Sequence, residues 1–463
     1  MLGSMSMNKQ KINNEAIYDA RKLGKGKMAV LGLQHMFAMF GATVVVPLIT
    51  GLSVSSTLLF AGLGTLLFHL VTKGKVPAFL GSSFAFLAGY ATIAPKGEAN
   101  LLPYACFGVA CASILYFILS ALFKAFGAHR VMKFFPPIVT GPIIIAIGLT
   151  LAPSAINNCE SSGDNAGLSW IVAIVAIAII IICNIFGKGM IKIIPIICGV
   201  LGSYVVAVCL GLVDFTSVAK ADWIGLPFTY DQTVFSIFTG DTDWGLITTS
   251  IITIVPIALA TMVEHIGDIS AISSTIGKNC IADPGLHRTL LGDGAATLLA
   301  ALFGAPANTT YGENTGVLNL TKVFDSRVIR IAAFFAILFS FSPKFAAIVT
   351  SIPSATVGGV SLVLYGMISS VGVRNIVENK IDFTNMRNVL IMAIILVLAL
   401  GITFSTAGNI SFTIGSVTIQ LSGLAVGSLV GIILNAIIPG NDYKFKTDED
   451  LGANEIQKDT REM

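Results

Sequence analysis

From residue 28 to residue 438 the chain is a near-continuous succession of apolar runs, each close to the length that crosses a bilayer. A helix rises 1.5 Å per residue and the hydrocarbon layer is about 30 Å thick, so roughly 20 mainly apolar residues make one crossing. By that ruler the chain holds about fourteen candidate spans. They fall at residues 28–49, 54–72, 79–94, 101–123, 136–152, 167–186, 191–213, 245–265, 286–303, 305–321, 328–342, 353–372, 387–403 and 416–438. Only 11% of the 463 residues are charged and 54% are apolar, which excludes a soluble globular domain. The fold class expected is an all-α polytopic membrane protein.

The basic residues test this division, because Lys and Arg near span ends are retained on the cytoplasmic side. With the N-terminus inside, only Lys96, Lys220 and Lys344 of the 28 Lys and Arg fall outside. Both termini are therefore expected in the cytoplasm of a multi-pass plasma-membrane protein. The first 27 residues are polar and basic with no apolar core, and read as a cytoplasmic tail rather than a cleaved signal. The acidic stretch 441–463 reads as a disordered cytoplasmic tail. The seven cysteines form no CxxC pair and read as small buried hydrophobes.

Two sets of seven spans would each contain an odd number, so the second set must enter the membrane from the opposite side. Inverted repeats follow from that parity. In such transporters the binding site lies near mid-membrane, where helices in corresponding positions of the two halves are broken. Two spans carry that composition: the third, with PAFLGSSFAF at Pro77 to Phe86, and the tenth, with GAPANTTYGENTG at Gly304 to Gly316. Each mixes Pro and Gly with Ser or Thr, which ends a helix as a short extended segment and caps the half-helix that follows. A second matched pair, IPSATVGG at Ile352 to Gly359 and FPPIVTGP ending at Pro142, reads as helix starts and close packing.

Acids at membrane depth cost about 2.5 to 3.5 kcal/mol on insertion scales and need a reason. Glu264 and Asp268 are four residues apart, on one helix face near the cytoplasmic end of the eighth span. Asp293 lies in the ninth span and Glu313 in the tenth, while His35 and His265 add groups that titrate near neutrality. Glu264, Asp268, His265, Asp293 and His35 are the expected proton-coupling set. A small anion would require Arg, Lys or bare helix N-termini, and no basic residue lies inside these spans. Two carboxylates favour a cation or a neutral planar ligand rich in N–H donors, with Phe84, Phe86, Tyr311 and Tyr365 available as stacking faces. No nucleophile–base pair or metal-ligand cluster is present, so neither an enzyme nor a cofactor is expected; a passive facilitator and an anion exchanger of the same fold are the rival readings.

At GSSFAF (81–86), VEHIGD (263–268), DPGLHR (283–288), NTTYGEN (308–314) and GGVSLVLYG (358–366), the chain resembles the nucleobase/ascorbate transporter family, nearest to its uracil-carrying branch. The resemblance runs from about residue 25 to 440. It implies a core domain (28–125 and, with an extracellular loop, 216–345) and a gate domain (126–215 and 346–440). It also implies a homodimer, proton symport and no nucleic-acid partner. On the matching positions, Glu264 and Glu313 would accept the ring N–H groups of uracil. Backbone N–H groups at Phe84 and Gly312 would meet its carbonyls, with Tyr311 and Tyr365 lining the pocket. Purine-carrying relatives tend to have Gln at the position of Glu313, which points to a pyrimidine. Acids at Asp268 and Asp293, where familiar uracil carriers have His and Asn, resemble the purine branch instead. Desolvating Glu264 in a closed pocket would favour its neutral form and make proton and base binding cooperative.

Overall fold

A backbone group in hydrocarbon has no water to bond, so apolar runs fold as helices that satisfy themselves internally. The computed structural model describes residues 16–160, 166–239, 242–414 and 417–440. In chain order the principal elements are α1 (Lys25–Thr50), α2 (Val54–Val71), β1 (Leu80–Ser82), α3 (Leu87–Ile93), α4 (Leu102–Phe126), α5 (Pro137–Glu160), α6 (Ala166–Phe186) and α7 (Pro195–Cys209). They continue with α8 (Trp244–Ile254), α9 (Ala258–Ile276), α10 (Leu286–Leu302), β2 (Asn308–Thr310), α11 (Gly312–Thr321), α12 (Ser326–Ser340) and α13 (Pro343–Thr350). The chain closes with α14 (Ser354–Glu378), α15 (Met386–Thr403), β3 (Asn409–Ile414), β4 (Val417–Ser422) and α16 (Gly423–Ile437).

Among the described residues eight helices are long and apolar enough to cross a membrane, or nine if α12 and α13, bent by 90°, count as one. Helices α7 and α16 are apolar but shorter, and the segments holding β1 and β2 are interrupted. The acidic tail expected at 441–463 lies outside the described residues.

Two local expectations change. The eighth segment, expected to end near residue 265, runs as helix to Ile276, where Gly277 takes a left-handed φ of 65° and stops it. Glu264 and Asp268 therefore sit mid-helix, with roughly three and two turns of helix beyond them respectively. The last segment, expected as helix from residue 416, begins as a hairpin of β3 with β4, and its helix starts only at Gly423 after the Ser422 hydroxyl accepts from the Ala425 N–H. Ile410, Phe412, Val417, Ile419 and Leu421 alternate with polar residues at the strand period of two, a signal that a 20-residue apolar window averages away.

One group of helices packs α2, α4, α10 and α12 with α1; another packs α5, α6 and α14 together with α7, α15 and α16. Helices α5 and α14 approach to backbone contact: a methyl added at Gly372 would lie 2.6 Å from the Gly141 carbonyl oxygen. Small residues permit such close crossings where hydrophobic driving force between helices is lacking.

At the far end of α9 the N-terminal segment forms a strap. Ile17 N–H donates to the Lys322 carbonyl and Phe324 N–H to the Ile17 carbonyl, both at 2.8 Å, while the Tyr18 hydroxyl donates to the Ile276 carbonyl at 2.7 Å. Asp325 is buried and accepts from Ala20 N–H at 2.8 Å and from Arg327. The strap thus joins the ends of α9 and α11. Its Asp19 is held at about 2, chiefly by hydrogen bonding from the Arg21 guanidinium. That contribution is complete above the ordinary carboxylate value of 3.8 and is lost only as pH falls through about 2, so physiological acidification leaves the pair intact. Replacing Asp325 by Ala removes a buried charged acceptor worth roughly 1.5–3 kcal/mol. Trypsin cleavage after Arg21 or Lys22 in the solubilised protein should then accelerate about tenfold or more; an unchanged rate would mean that the strap does not depend on Asp325.

Candidate functional site

The two interrupted segments meet. Strand β1 pairs antiparallel with β2 in the register Leu80 to Thr310, Gly81 to Thr309 and Ser82 to Asn308. Ser83 N–H to Ala307 O (2.8 Å) and Tyr311 N–H to Phe79 O (3.0 Å) extend the ladder on both sides. Side-chain bonds tie the patch to its surroundings: Thr297 Oγ1 on α10 donates to Asn308 O, Asn308 Nδ2 to Phe60 O, Ser82 Oγ to Thr43 O, and Tyr311 OH to Ser82 O at 2.9 Å. Residue 81 must be glycine for this to close, since a methyl there would stand 2.5 Å from the Tyr311 ring.

From this patch α3 and α11 set out as half-helices. The first N–H groups of a helix have no partner within it, and at Gly312 they face open space: the residue is exposed, and an added Cβ would meet nothing within 4 Å. Glu313 is half-buried in the first turn of α11, a position that also suits the helix dipole.

Opposite lies α9. Glu264 is half-buried, its Oε2 has no hydrogen-bond partner, and Asp268, Asp293 and Glu313 all lie within its electrostatic reach. Asp268 accepts from the Thr310 hydroxyl at 2.9 Å, which ties α9 to the end of β2. His265 Nδ1 stands 3.2 Å from Asp293 Oδ2, both side chains being fully buried. This is a charge contact when the imidazole is protonated, but neither Asp293 oxygen accepts a well-directed hydrogen bond. His35 on α1 reaches the site through Asn314, whose amide lies 3.1 Å from both its Nδ1 and its carbonyl. The Phe84 ring meets Tyr365 of α14 edge-on at 5.7 Å between centroids.

Phe84, Tyr311, Gly312 and Glu313 lie at the paired breaks, Asp268, His265, His35 and Tyr365 are joined to them through side-chain contacts, and Asp293 follows behind His265. Three partners were not anticipated: Thr310, Asn314 and Ser82. Asn314 had a legible signal, since a side-chain amide at membrane depth needs a bonding partner as a carboxylate does. Among the described residues no Lys or Arg pairs with any of the four acids.

A many-spanning helical protein whose polar groups gather where two broken helices meet has the build of a membrane transport protein. Residues 26–408 match the permease family model. The chain is 41% identical over 413 residues to the uracil permease of Bacillus subtilis (strain 168), spanning 88% of this chain and 91% of that protein. It is 34% identical over 427 residues to the putative pyrimidine permease of Escherichia coli (strain K12), spanning 90% of each. Among solved structures, the transmembrane domain of a cyanobacterium bicarbonate transporter matches with a TM-score of 0.64 at 13% identity, over 91% of this chain and 99% of that one. SLC26A9 matches at 0.62 and 12% identity, over 91% of this chain and 66% of that one. These last two are likenesses of fold. The chain belongs to this permease family, the nucleobase/ascorbate transporters its motifs resemble, and is a transporter, not an enzyme.

Gly81→Ala should overpack the Tyr311 ring and destabilise by roughly 1–3 kcal/mol. Tyr311→Phe removes only the hydroxyl bond to Ser82, worth about 1 kcal/mol. In thermal unfolding of the ligand-free protein both should melt below wild type, Gly81→Ala the lower; a Gly81→Ala protein as stable as wild type would show that the ring is not confined there.

Proposed function

We propose that this protein takes up uracil across the plasma membrane by proton symport and alternating access, with the base held between Glu264 and Glu313. The single observation carrying the reading is the unpartnered Glu264 oxygen, on a helix facing the open start of α11 where Gly312 and Glu313 lie. A ring with two N–H donors and two carbonyls would find acceptors on the two acids and donors on the free amides at Phe84 and Gly312. An analogue lacking one of these groups leaves a buried polar group unpaired, which is a strong penalty. Tyr311 packs beneath the pocket and Tyr365 faces it. The uracil and pyrimidine permeases among the relatives support this substrate class.

The fold-level neighbours include a bicarbonate transporter, yet four carboxyls without a paired Lys or Arg make a poor anion site here. In our reading Glu264 carries a proton when the neutral base is bound. Asp268, His265, Asp293 and His35, held by Thr310 and Asn314, set the field it feels and pass the proton on. At about 100 mV one inward proton is worth about 2.3 kcal/mol, roughly a fiftyfold gradient of a neutral solute. About fourteen crossings in two inverted sets, both termini cytoplasmic and a homodimeric assembly complete the proposal. The segregation of α1, α2, α4, α10 and α12 from α5, α6, α7 and α14 to α16 supports a core moving against a gate.

In proteoliposomes, Glu264→Gln should bind uracil at least tenfold more weakly and lose protonophore-sensitive accumulation, because a carboxamide carries no exchangeable proton load. A variant that still concentrates uracil would remove Glu264 from coupling. Labelled uracil uptake should be displaced by 5-fluorouracil well before xanthine or hypoxanthine; the reverse order would assign the acids at Asp268 and Asp293 to a purine site.

A further inference from the structure

Outward of this site, on the sequence-derived topology, lies a cavity of about 350 Å³ including its mouth. One wall is α3 and α8, through Thr92 and Thr253; the other is the end of α15 and the β3–β4 hairpin, through Thr403, Asn409, Gln420 and Ser422. Thr253 and Glu264 are separated by eleven residues of nearly continuous helix, about 16 Å at 1.5 Å per residue, so the two places are distinct.

The lining is chemically unusual for its position. It holds hydroxyls and carboxamides, and no Asp, Glu, His, Lys or Arg. Ions find no countercharge there, whereas an uncharged ring with both donors and acceptors does. Thr253 is only 2% exposed, and its hydroxyl has no hydrogen-bond partner. A buried hydroxyl left unpaired is unfavourable, and an occupant of the cavity would relieve it. Much of that volume is the open mouth, so the enclosed part is well below the size of an ordinary small-molecule pocket and suits at most one small ring, partly exposed. By the expected domain division, α3 and α8 belong to the core and α15 with the hairpin to the gate, the two parts that the transport reading sets in relative motion.

We propose that this cavity is a second, outer binding site for an uncharged nucleobase-type ring, occupied on the way to Glu264 and Glu313. The proposal rests on the transport reading above for the identity of its ligand. Two amide side chains and several hydroxyls, without a charge, give a weaker and less selective hold than the inner acids. Binding there is independent of pH, because no lining group titrates.

The test is equilibrium binding of radiolabelled uracil to the full-length protein in nanodiscs, at several pH values between about 5 and 8. Wild type should show two classes of site, the weaker by about a hundredfold and flat with pH. Glu264→Gln should weaken the tight class at least tenfold and spare the weak one. Thr253→Val combined with Gln420→Leu should abolish the weak class, leave the tight one intact, and raise the uptake KM several-fold at constant kcat. Thr253→Ser, which keeps the hydroxyl, should retain both classes and shows that the site tolerates substitution. A single class that Glu264→Gln weakens as a whole overturns the proposal, as does an unchanged KM in the double variant; the cavity then holds water only. If Glu264→Gln leaves the tight class at full affinity while the double variant loses the weak one, the inner-site reading fails and the outer site stands.

Discussion

Everything at the centre of this protein follows from the need to bond backbone groups where there is no water. A helix interrupted by Pro and Gly at membrane depth leaves N–H and C=O groups exposed, and hydrocarbon cannot accept them. Here the two interruptions satisfy each other across three residue pairs, with Thr43, Thr65 and Thr297 and the carbonyl of Phe60 taking part at the margins. What remains open is the start of α11 at Gly312, opposite the acids on α9. On the proposed reading, structural repair and ligand recognition are one arrangement viewed from two sides.

The acids are held by different means, and this gives them different freedom. Asp268 is tethered by Thr310, Asp293 stands against His265, and Glu264 has an oxygen with no bond at all. A fully bonded carboxyl is a structural element; an unbonded one in a cavity is available to something that arrives. Unmet bonding capacity is thus shared between Glu264 and Asp293, while Thr310 braces Asp268 beside them.

Much of this was legible in the sequence. Most of the long helices followed the apolar runs, and both breaks were marked by Pro77, Gly81, Gly304 and Pro306 among hydroxyl residues. The converging acids stood out because charge is so scarce at membrane depth. Three things did not show. The β3–β4 hairpin was hidden by an apolar average that discards period, and the 90° turn into α13 follows a Ser–Pro step that looks like any loop. The strap at Ile17 to Leu23 owes its place to backbone bonds with Lys322 and Phe324, roughly three hundred residues away, and no local pattern encodes such a partner. Thr310 is hidden for the same reason, since an ordinary hydroxyl acquires its meaning from what lies across the gap, whereas the Asn314 amide at membrane depth was itself a signal.

The pairing of β1 with β2 also has a consequence for biosynthesis. Leu80–Ser82 leaves the ribosome more than two hundred residues before Asn308–Thr310 does. Throughout that interval the early strand has no mate, so its segment cannot settle stably in the lipid interior. It must wait at the insertion machinery or near the aqueous surface until its late counterpart is made. The centre of the protein is thus among its last parts to be completed, and a nascent chain released before residue 308 carries an open seam that no earlier helix can close.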